Sequence, residues 1–129
     1  MDLTELIRKA MEAKEKAYVP YSGFHVGAAL LCEDGTIFTG CNIENSAYGP
    51  TNCAERTAIF KAVSEGYREF KAIAIISDGK EPTAPCGVCR QVMAEFCKPD
   101  FEVFMAACDG SNRLATLEEL LPYAFSLKK

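Results

Sequence analysis

The sequence has no apolar run that approaches the ~20 residues required by a membrane-spanning helix. Its first residues also lack the basic start and the apolar segment of a secretory signal. We therefore expect no membrane partner and a cytoplasmic location. With 129 residues and no internal repeat or interdomain linker, the chain is expected to form one domain over residues 1–129.

A cationic surface is missing as well. The 14 Lys and Arg residues are scattered along the chain and are outnumbered by 18 acidic residues, which gives a net charge of −4. Affinity for a phosphate backbone depends on clustered basic side chains. The composition therefore disfavours a nucleic acid as partner.

Histidine is almost absent, with one residue, whereas cysteine occurs seven times. An odd number of cysteines fits a disulfide framework poorly, and thiols of a cytoplasmic protein stay reduced. Four cysteines lie in or beside apolar segments and are expected to be small buried side chains: Cys32, Cys41, Cys97 and Cys108. The other three belong to motifs that packing does not explain.

Alternating strands and helices indicate an α/β fold. Apolar residues at helical spacing predict helices at about 3–17, 53–65, 86–96 and 117–121. Apolar runs bounded by turn residues predict strands at 25–32, 36–41, 72–76 and 102–107. The first two strands form a hairpin, and the later ones alternate with helices, so we expect a three-layer α/β/α domain with a central mixed sheet. The small residues Gly27-Ala28-Ala29 predict that a helix covers the first strand closely.

Two cysteine motifs lie where the second and third helices begin: Cys53-Ala54-Glu55 and Pro85-Cys86-Gly87-Val88-Cys89. Each helix follows a strand, so both N-termini should lie at the C-terminal edge of the sheet, where open α/β sheets bind ligands. Three thiolates can hold one zinc ion and leave its fourth position open for chemistry, whereas a structural zinc is closed by four ligands. The spacing therefore predicts a catalytic zinc site.

Charged residues beside the thiols are candidates for the chemistry. Glu55 lies in the first helical turn, where side chains lean toward the N-terminus, and it could take a proton from water on the metal. Arg56 follows Cys53 by three residues and could donate to its sulfur, which would offset the negative charge of the thiolates together with the two helix dipoles. Arg90, four residues after Cys86, is a lesser candidate for the same role, with a surface ion pair as its alternative.

Other interpretations of the motifs remain open. Cys86 and Cys89 could be a thioredoxin-like redox pair, although this leaves the Cys53 motif unexplained. A closed structural zinc site would need a fourth ligand, for which His25 and Cys41 are the candidates. A zinc-stabilised interaction module would bind the metal without catalysing a reaction.

Beyond these motifs, nearly the whole chain resembles the cytidine deaminases, the small zinc enzymes that act on free nucleosides. Their signature combines cysteine ligands with a Glu that is a general acid/base and not a ligand. The similarity extends over Val19–Phe24, Val26–Ala29, Gly40–Asn45, Cys53–Ala58, Pro85–Gln91 and Glu119–Pro122.

This resemblance implies a cytidine deaminase-like fold and one Zn²⁺ per subunit, held by Cys53, Cys86 and Cys89. It implies hydrolysis of cytidine and 2′-deoxycytidine to uridine and 2′-deoxyuridine, with release of ammonia, in pyrimidine salvage. Water activated on the zinc would attack C4 of the pyrimidine. Glu55 would carry protons to the ring nitrogen and to the leaving ammonia.

The resemblance also assigns residues to the nucleoside. Asn42 and Glu44 would bind the ribose hydroxyls, and their spacing of two at a strand end lets both face one side. Loop capping is their alternative role. Phe24 would pack against the pyrimidine, or else be a core residue, and the Ala54 backbone would hydrogen-bond the base.

A homotetramer is the assembly that the resemblance implies. Ser46 and Tyr48 on one loop, with Phe125 near the C-terminus, would complete the site of a neighbouring subunit. The nearest alternative activity is deamination of a nucleoside antibiotic such as blasticidin S, which uses similar zinc motifs. The ribose-binding pair Asn42 and Glu44 argues against that alternative.

Overall fold

The structure is a computed structural model that describes residues 3–128. Its helices are α1 (Leu3–Lys14), α2 (Ala54–Ser64), α3 (Gly87–Phe96) and α4 (Leu117–Leu120). Its strands are β1 (Val26–Cys32), β2 (Ile37–Cys41), β3 (Phe70–Ser77), β4 (Glu102–Ala106) and β5 (Asn112–Thr116). Within this part of the chain, no helix has the length and the hydropathy to cross a membrane.

The five strands form one mixed sheet in the order β2-β1-β3-β4-β5. β3 and β4 are parallel, and the other neighbouring pairs are antiparallel. Because β1 is antiparallel to both β2 and β3, these two strands run in the same direction and end at the same edge. The chain enters α2 after β2 and α3 after β3, so both helices begin at that edge, as the sequence predicted.

Helices cover both faces of the sheet, which confirms the three-layer α/β/α fold. On one face, Leu6 and Ala10 of α1 pack against alternate residues of the central strands, including Ala29 and Ala74. The other face packs against α2 and α3 in a larger core; its fully buried residues include Leu30, Ile59, Ile73, Ile75, Met93 and Val103. β3 is buried on both faces over most of its length, as its continuous apolar sequence predicted.

Two glycines allow helices to lie directly on strands. A Cβ at Gly27 would be 2.0 Å from the carbonyl oxygen of Ala10 and 2.5 Å from the nitrogen of Lys14, both in α1. A Cβ at Gly40 would be 2.5 Å from the backbone of Ala54 and from that of Ala58 in α2. The close approach expected at Gly27 is therefore observed, and Gly40 holds the start of α2 against the end of β2.

The predicted elements differ from the observed ones in two places. α1 ends at Lys14 rather than near Ala17, because Lys16 and Ala17 donate to the carbonyls three residues earlier and close a turn instead of continuing the helix. The chain then turns to pair Tyr18 with Ile43. β5 was not predicted, because it is an edge strand whose residues 112–114 are exposed and carry no apolar alternation.

Candidate metal centre and substrate cleft

Three thiols from separate parts of the chain meet at the C-terminal edge of the sheet. The Sγ atoms of Cys53 and Cys86 are 3.7 Å apart, and those of Cys86 and Cys89 are 3.4 Å apart. All three lie within 4.8 Å of one another. A tetrahedral zinc with Zn–S bonds of about 2.3 Å places two sulfurs about 3.8 Å apart. The cluster therefore has the size and the donor chemistry of a zinc site.

Helix starts position the three ligands. Cys53 is the N-cap of α2 and Cys86 the N-cap of α3, both with extended backbones, and Cys89 lies in the first turn of α3. The Cys86 sulfur accepts the backbone N–H of Cys89 at 3.5 Å. Both N-terminal dipole ends thus point at the sulfurs and favour their thiolate form. The sequence placed Cys53 and Cys86 one residue inside their helices.

The two candidates for a fourth ligand lie outside the thiol cluster. Among the described residues, the group that could hold a metal contains Cys53, Cys86 and Cys89 alone. His25 faces Asp78 instead, with its Nδ1 2.7 Å from a carboxylate oxygen. A closed structural zinc site is therefore not formed by this part of the chain. A redox pair of Cys86 and Cys89 would not account for the third thiol, that of Cys53, in the same cluster. Of the interpretations considered, a metal centre with an open position therefore fits the structure best.

Arg56 donates from Nη2 to the Cys53 sulfur at 3.3 Å, as the sequence predicted. Hydrogen bonds from Cys89 and from Arg56 lower the pKa of the Cys53 thiol. The Arg56 Nε is buried and has no hydrogen-bond partner among the residues that the structure describes. Arg90 plays neither of the roles considered for it, because it donates to the carbonyls of Pro85, at 2.8 Å, and Leu120, at 2.7 Å.

Glu55 lies beside the thiols and is only 4% exposed. It lines a cavity of about 200 Å³ with Val26, Asn42, Cys53, Ala54, Thr83, Ala84 and Cys86. Burial, reinforced by the charge of Cys53, raises the pKa of Glu55 to about 7. A carboxyl group with this pKa can both accept and donate a proton near neutral pH.

Asn42 and Glu44 carry the loop-capping contacts that were their alternative role. The amide of Asn42 accepts from Val26 N and donates to Phe24 O, both at 2.9 Å. Glu44 accepts from the backbone nitrogens of Tyr21, at 3.0 Å, and Ser22, at 3.1 Å. The hydroxyl of Ser22 also donates to Glu44, and these bonds lower the pKa of its carboxyl group. Each side chain keeps unused hydrogen-bonding capacity, so a ribose contact remains open to both.

The aromatic and loop candidates are more exposed. Phe24 is 40% exposed, Tyr48 94% and Phe125 68%. Ser46 lies 2.5 Å from the hydroxyl of Tyr21 and, with Tyr48, lines a second cleft of about 470 Å³ that also includes Glu44. Phe125 lines neither cavity, and its carbonyl accepts from Gln91 of α3 at 3.0 Å. One chain alone therefore leaves Tyr48 and Phe125 facing outward.

Several residues of the site had no role predicted from the sequence. Thr83 and Ala84 line the cavity of Glu55, and their position just before Cys86 was the available signal. Ser22 holds Glu44, and its place in the segment 19–24 was the signal there. Their roles depend on the conformation of the loops, which the apolar periodicity of the sequence does not predict.

The sheet, the two helix N-termini and the three-thiol cluster with its buried carboxyl group define an α/β zinc enzyme. The model of the cytidine and deoxycytidylate deaminase zinc-binding region matches residues 1–105. The cytidine deaminase of Sporosarcina psychrophila is 59% identical over 126 residues, which cover 98% of this chain and 93% of that protein. The chain belongs to the cytidine and deoxycytidylate deaminase family.

Solved structures agree with this family. The crystal structure of cytidine deaminase from Burkholderia pseudomallei superposes with a TM-score of 0.94 at 53% identity, and the match covers 97% of this chain and 100% of that one. The blasticidin-S deaminase of Bacillus cereus is also similar, at 32% identity over 130 residues, covering 95% of this chain and 91% of that protein. The cytidine deaminase fold expected from the sequence is therefore confirmed.

Proposed function

We propose that this protein hydrolyses cytidine and 2′-deoxycytidine to uridine and 2′-deoxyuridine with release of ammonia, as a step of pyrimidine salvage. The observation that carries the proposal is that Glu55 and the thiols of Cys53 and Cys86 line one cavity of about 200 Å³. A metal ion and a group that moves protons can thus act on the same small substrate. The family and the 59% identical cytidine deaminase support cytidine as that substrate.

Cys53, Cys86 and Cys89 would hold the zinc ion, which would act as a Lewis acid and make water nucleophilic near neutral pH. Glu55 takes one proton from the attacking water and delivers it to the ring nitrogen. It then moves the second proton of that water to the 4-amino group, which leaves as ammonia when its bond to C4 breaks. Its buried position and its pKa of about 7 suit it to act as both base and acid. Arg56 balances the thiolate charge through its bond to Cys53.

The nucleoside is oriented by groups around this cavity. Ala54 lines this cavity, which supports a hydrogen bond between its backbone and the base. Asn42 has one amide N–H left and Glu44 has free lone pairs, which suit the hydroxyls of a ribose. Phe24 offers a partly exposed ring to the face of the pyrimidine, where aromatic pairs contribute roughly 0.5–1.5 kcal/mol beyond burial.

The working form that we propose is a homotetramer of single-domain subunits. Tyr48 and Phe125 are largely exposed in a single chain, which supports a role in completing the site of a neighbour, together with Ser46. A cytoplasmic location fits the seven cysteines, all of which are free.

A single assay tests the activity. Purified protein with zinc is mixed with cytidine, and the ultraviolet absorbance of the base and the released ammonia are followed together. We expect both to change in equal amounts, and to stop when a chelator removes the metal. Zinc-loaded protein that releases no ammonia from cytidine would favour the interaction module, and faster turnover of blasticidin S than of cytidine would favour the antibiotic deaminase.

A further inference from the structure

Asp78, the first residue after β3, connects three elements of the fold. One of its carboxylate oxygens accepts the backbone N–H of His25 at 2.8 Å and lies 2.7 Å from the Nδ1 of the same residue. The other oxygen accepts from the ammonium group of Lys14, at the end of α1, at 2.8 Å. The backbone N–H of Asp78 donates to the carbonyl of His25 at 3.1 Å.

These bonds extend the pairing of β1 and β3 beyond its last regular step. The ladder ends where Val26 faces Ser77, and Asp78 then pairs with His25 through both its backbone and its side chain. Lys14, only 15% exposed at its side chain, balances the carboxylate charge. The hydrogen bond from Lys14 holds the pKa of Asp78 well below its usual range, so the carboxylate is charged at neutral pH. His25 is therefore fixed at both of its backbone polar groups.

His25 lies between two residues that belong to the substrate side. Val26 lines the cavity of Glu55. Phe24 is the proposed partner of the pyrimidine, and a Cβ built on Gly79, next to Asp78, would lie 3.6 Å from the tip of its ring. Because side chains alternate along an extended segment, we expect the His25 side chain, which contacts Asp78, to lie on the opposite side from those of Phe24 and Val26. The backbone of His25 is thus the link from Asp78 to Phe24.

We propose that Asp78 is a positioning residue, which sets the ring of Phe24 against the bound pyrimidine by fixing His25 between them. This inference rests on the proposed function and assigns to it a residue outside the metal centre. Asp78 touches no reacting atom. Its effect should therefore fall on the KM for the nucleoside rather than on kcat.

The test compares Asp78→Ala with Glu81→Ala, which removes an exposed carboxylate from the same loop. For Asp78→Ala we expect a rise in the KM for cytidine of roughly 2- to 10-fold, the range that an aromatic contact accounts for, and a change in kcat below about twofold. Glu81→Ala should match the wild type, and zinc content should be equal in all three. The KM of Asp78→Asn should lie between those of the wild type and Asp78→Ala, since an amide oxygen can still accept the N–H of His25. This variant replaces Asp78→Ala in the test if the alanine variant unfolds.

A double-mutant cycle with Phe24→Ala separates positioning from a general structural role. If Asp78 acts through Phe24, then Asp78→Ala should change the KM by less than about twofold in the Phe24→Ala background. Additive effects of the two substitutions would overturn the inference while leaving the proposed function intact. A wild-type protein inactive on cytidine would overturn the proposed function, and the inference with it.

Discussion

Glu55 is nearly removed from water, yet it carries a titratable group beside the thiols. Replacing it by Gln keeps the size of the side chain and removes its ability to move protons. We expect Glu55→Gln to retain one zinc per subunit and to lose roughly 10²- to 10⁴-fold in kcat, the usual contribution of a general acid/base. Metal analysis and the ammonia assay on the same preparation check both statements, and near-normal turnover would reject the proton-transfer role.

Arg56 donates from its guanidinium group to the Cys53 sulfur at 3.3 Å. Arg56→Ala removes a positive charge that favours ionised groups at the metal centre. We expect the acidic limb of the pH–rate profile to move to higher pH by on the order of one unit, and zinc to be lost more readily to a chelator. Arg56→Lys keeps the charge and should shift the profile less. If the profiles of wild type and Arg56→Ala coincide, Arg56 does not balance the thiolates.

The sequence could predict the metal ligands because thiols bind zinc and because their spacing along the chain places all three at helix starts. Cys53, Cys86 and Glu55 lie at helix starts, and helix geometry fixes where such residues point. It could not predict what Asn42 and Glu44 do in the chain itself. Their bonds to the backbone of residues 21–26 arise from how a loop meets a strand across 16 to 23 positions. Only the fold brings those partners together.

Among the helices and strands, α1 lies so close to β1 that only glycine fits at position 27 without a shift. A methyl group on Gly27 would overlap the backbone of Ala10 and Lys14, so α1 would have to move away from the sheet. We expect Gly27→Ala to lower the free energy of unfolding by about 1–3 kcal/mol, as overpacking does. Gly49→Ala is the matched control, since a Cβ there meets nothing within 4 Å. Urea denaturation measures the free energy of unfolding of both variants. Equal stability of the two would show that α1 can move away from the sheet without loss of stability.

Elements with a strong apolar pattern were predicted almost to the residue, and those without one were not. The sequence predicts that β3 is buried because residues 72–76 are all apolar, and the observed strand is longer by two residues at its start and one at its end. β5 was missed because an edge strand needs no buried side chains where solvent covers it, and Asn112, Arg113 and Leu114 are exposed. Its pairing with β4 is a tertiary effect that local sequence does not encode.

At the scale of the whole molecule, several large apolar side chains are exposed to solvent. Tyr48 is 94% exposed, Phe125 68% and Leu127 85%, although each would be more stable in contact with another apolar group. The thiols, Glu55 and Arg56 of the metal centre all belong to one chain. In the proposed tetramer, the exposed aromatic residues are what a neighbouring subunit would supply, so assembly would be required for full activity.

Mixed tetramers test this sharing of sites directly. A Glu55→Gln subunit has an inactive centre but intact Tyr48 and Phe125, whereas a subunit with Tyr48→Ala and Phe125→Ala has an intact centre but cannot complete its neighbour. Each variant alone should have low activity on cytidine while it sediments at four chain masses. Subunits mixed, dissociated and reassembled should regain activity well above the mean of the two parents, because some interfaces then join an intact Glu55 to an intact aromatic pair. Activity that stays at that mean would show that each chain acts alone, and that the exposed aromatic residues serve another purpose.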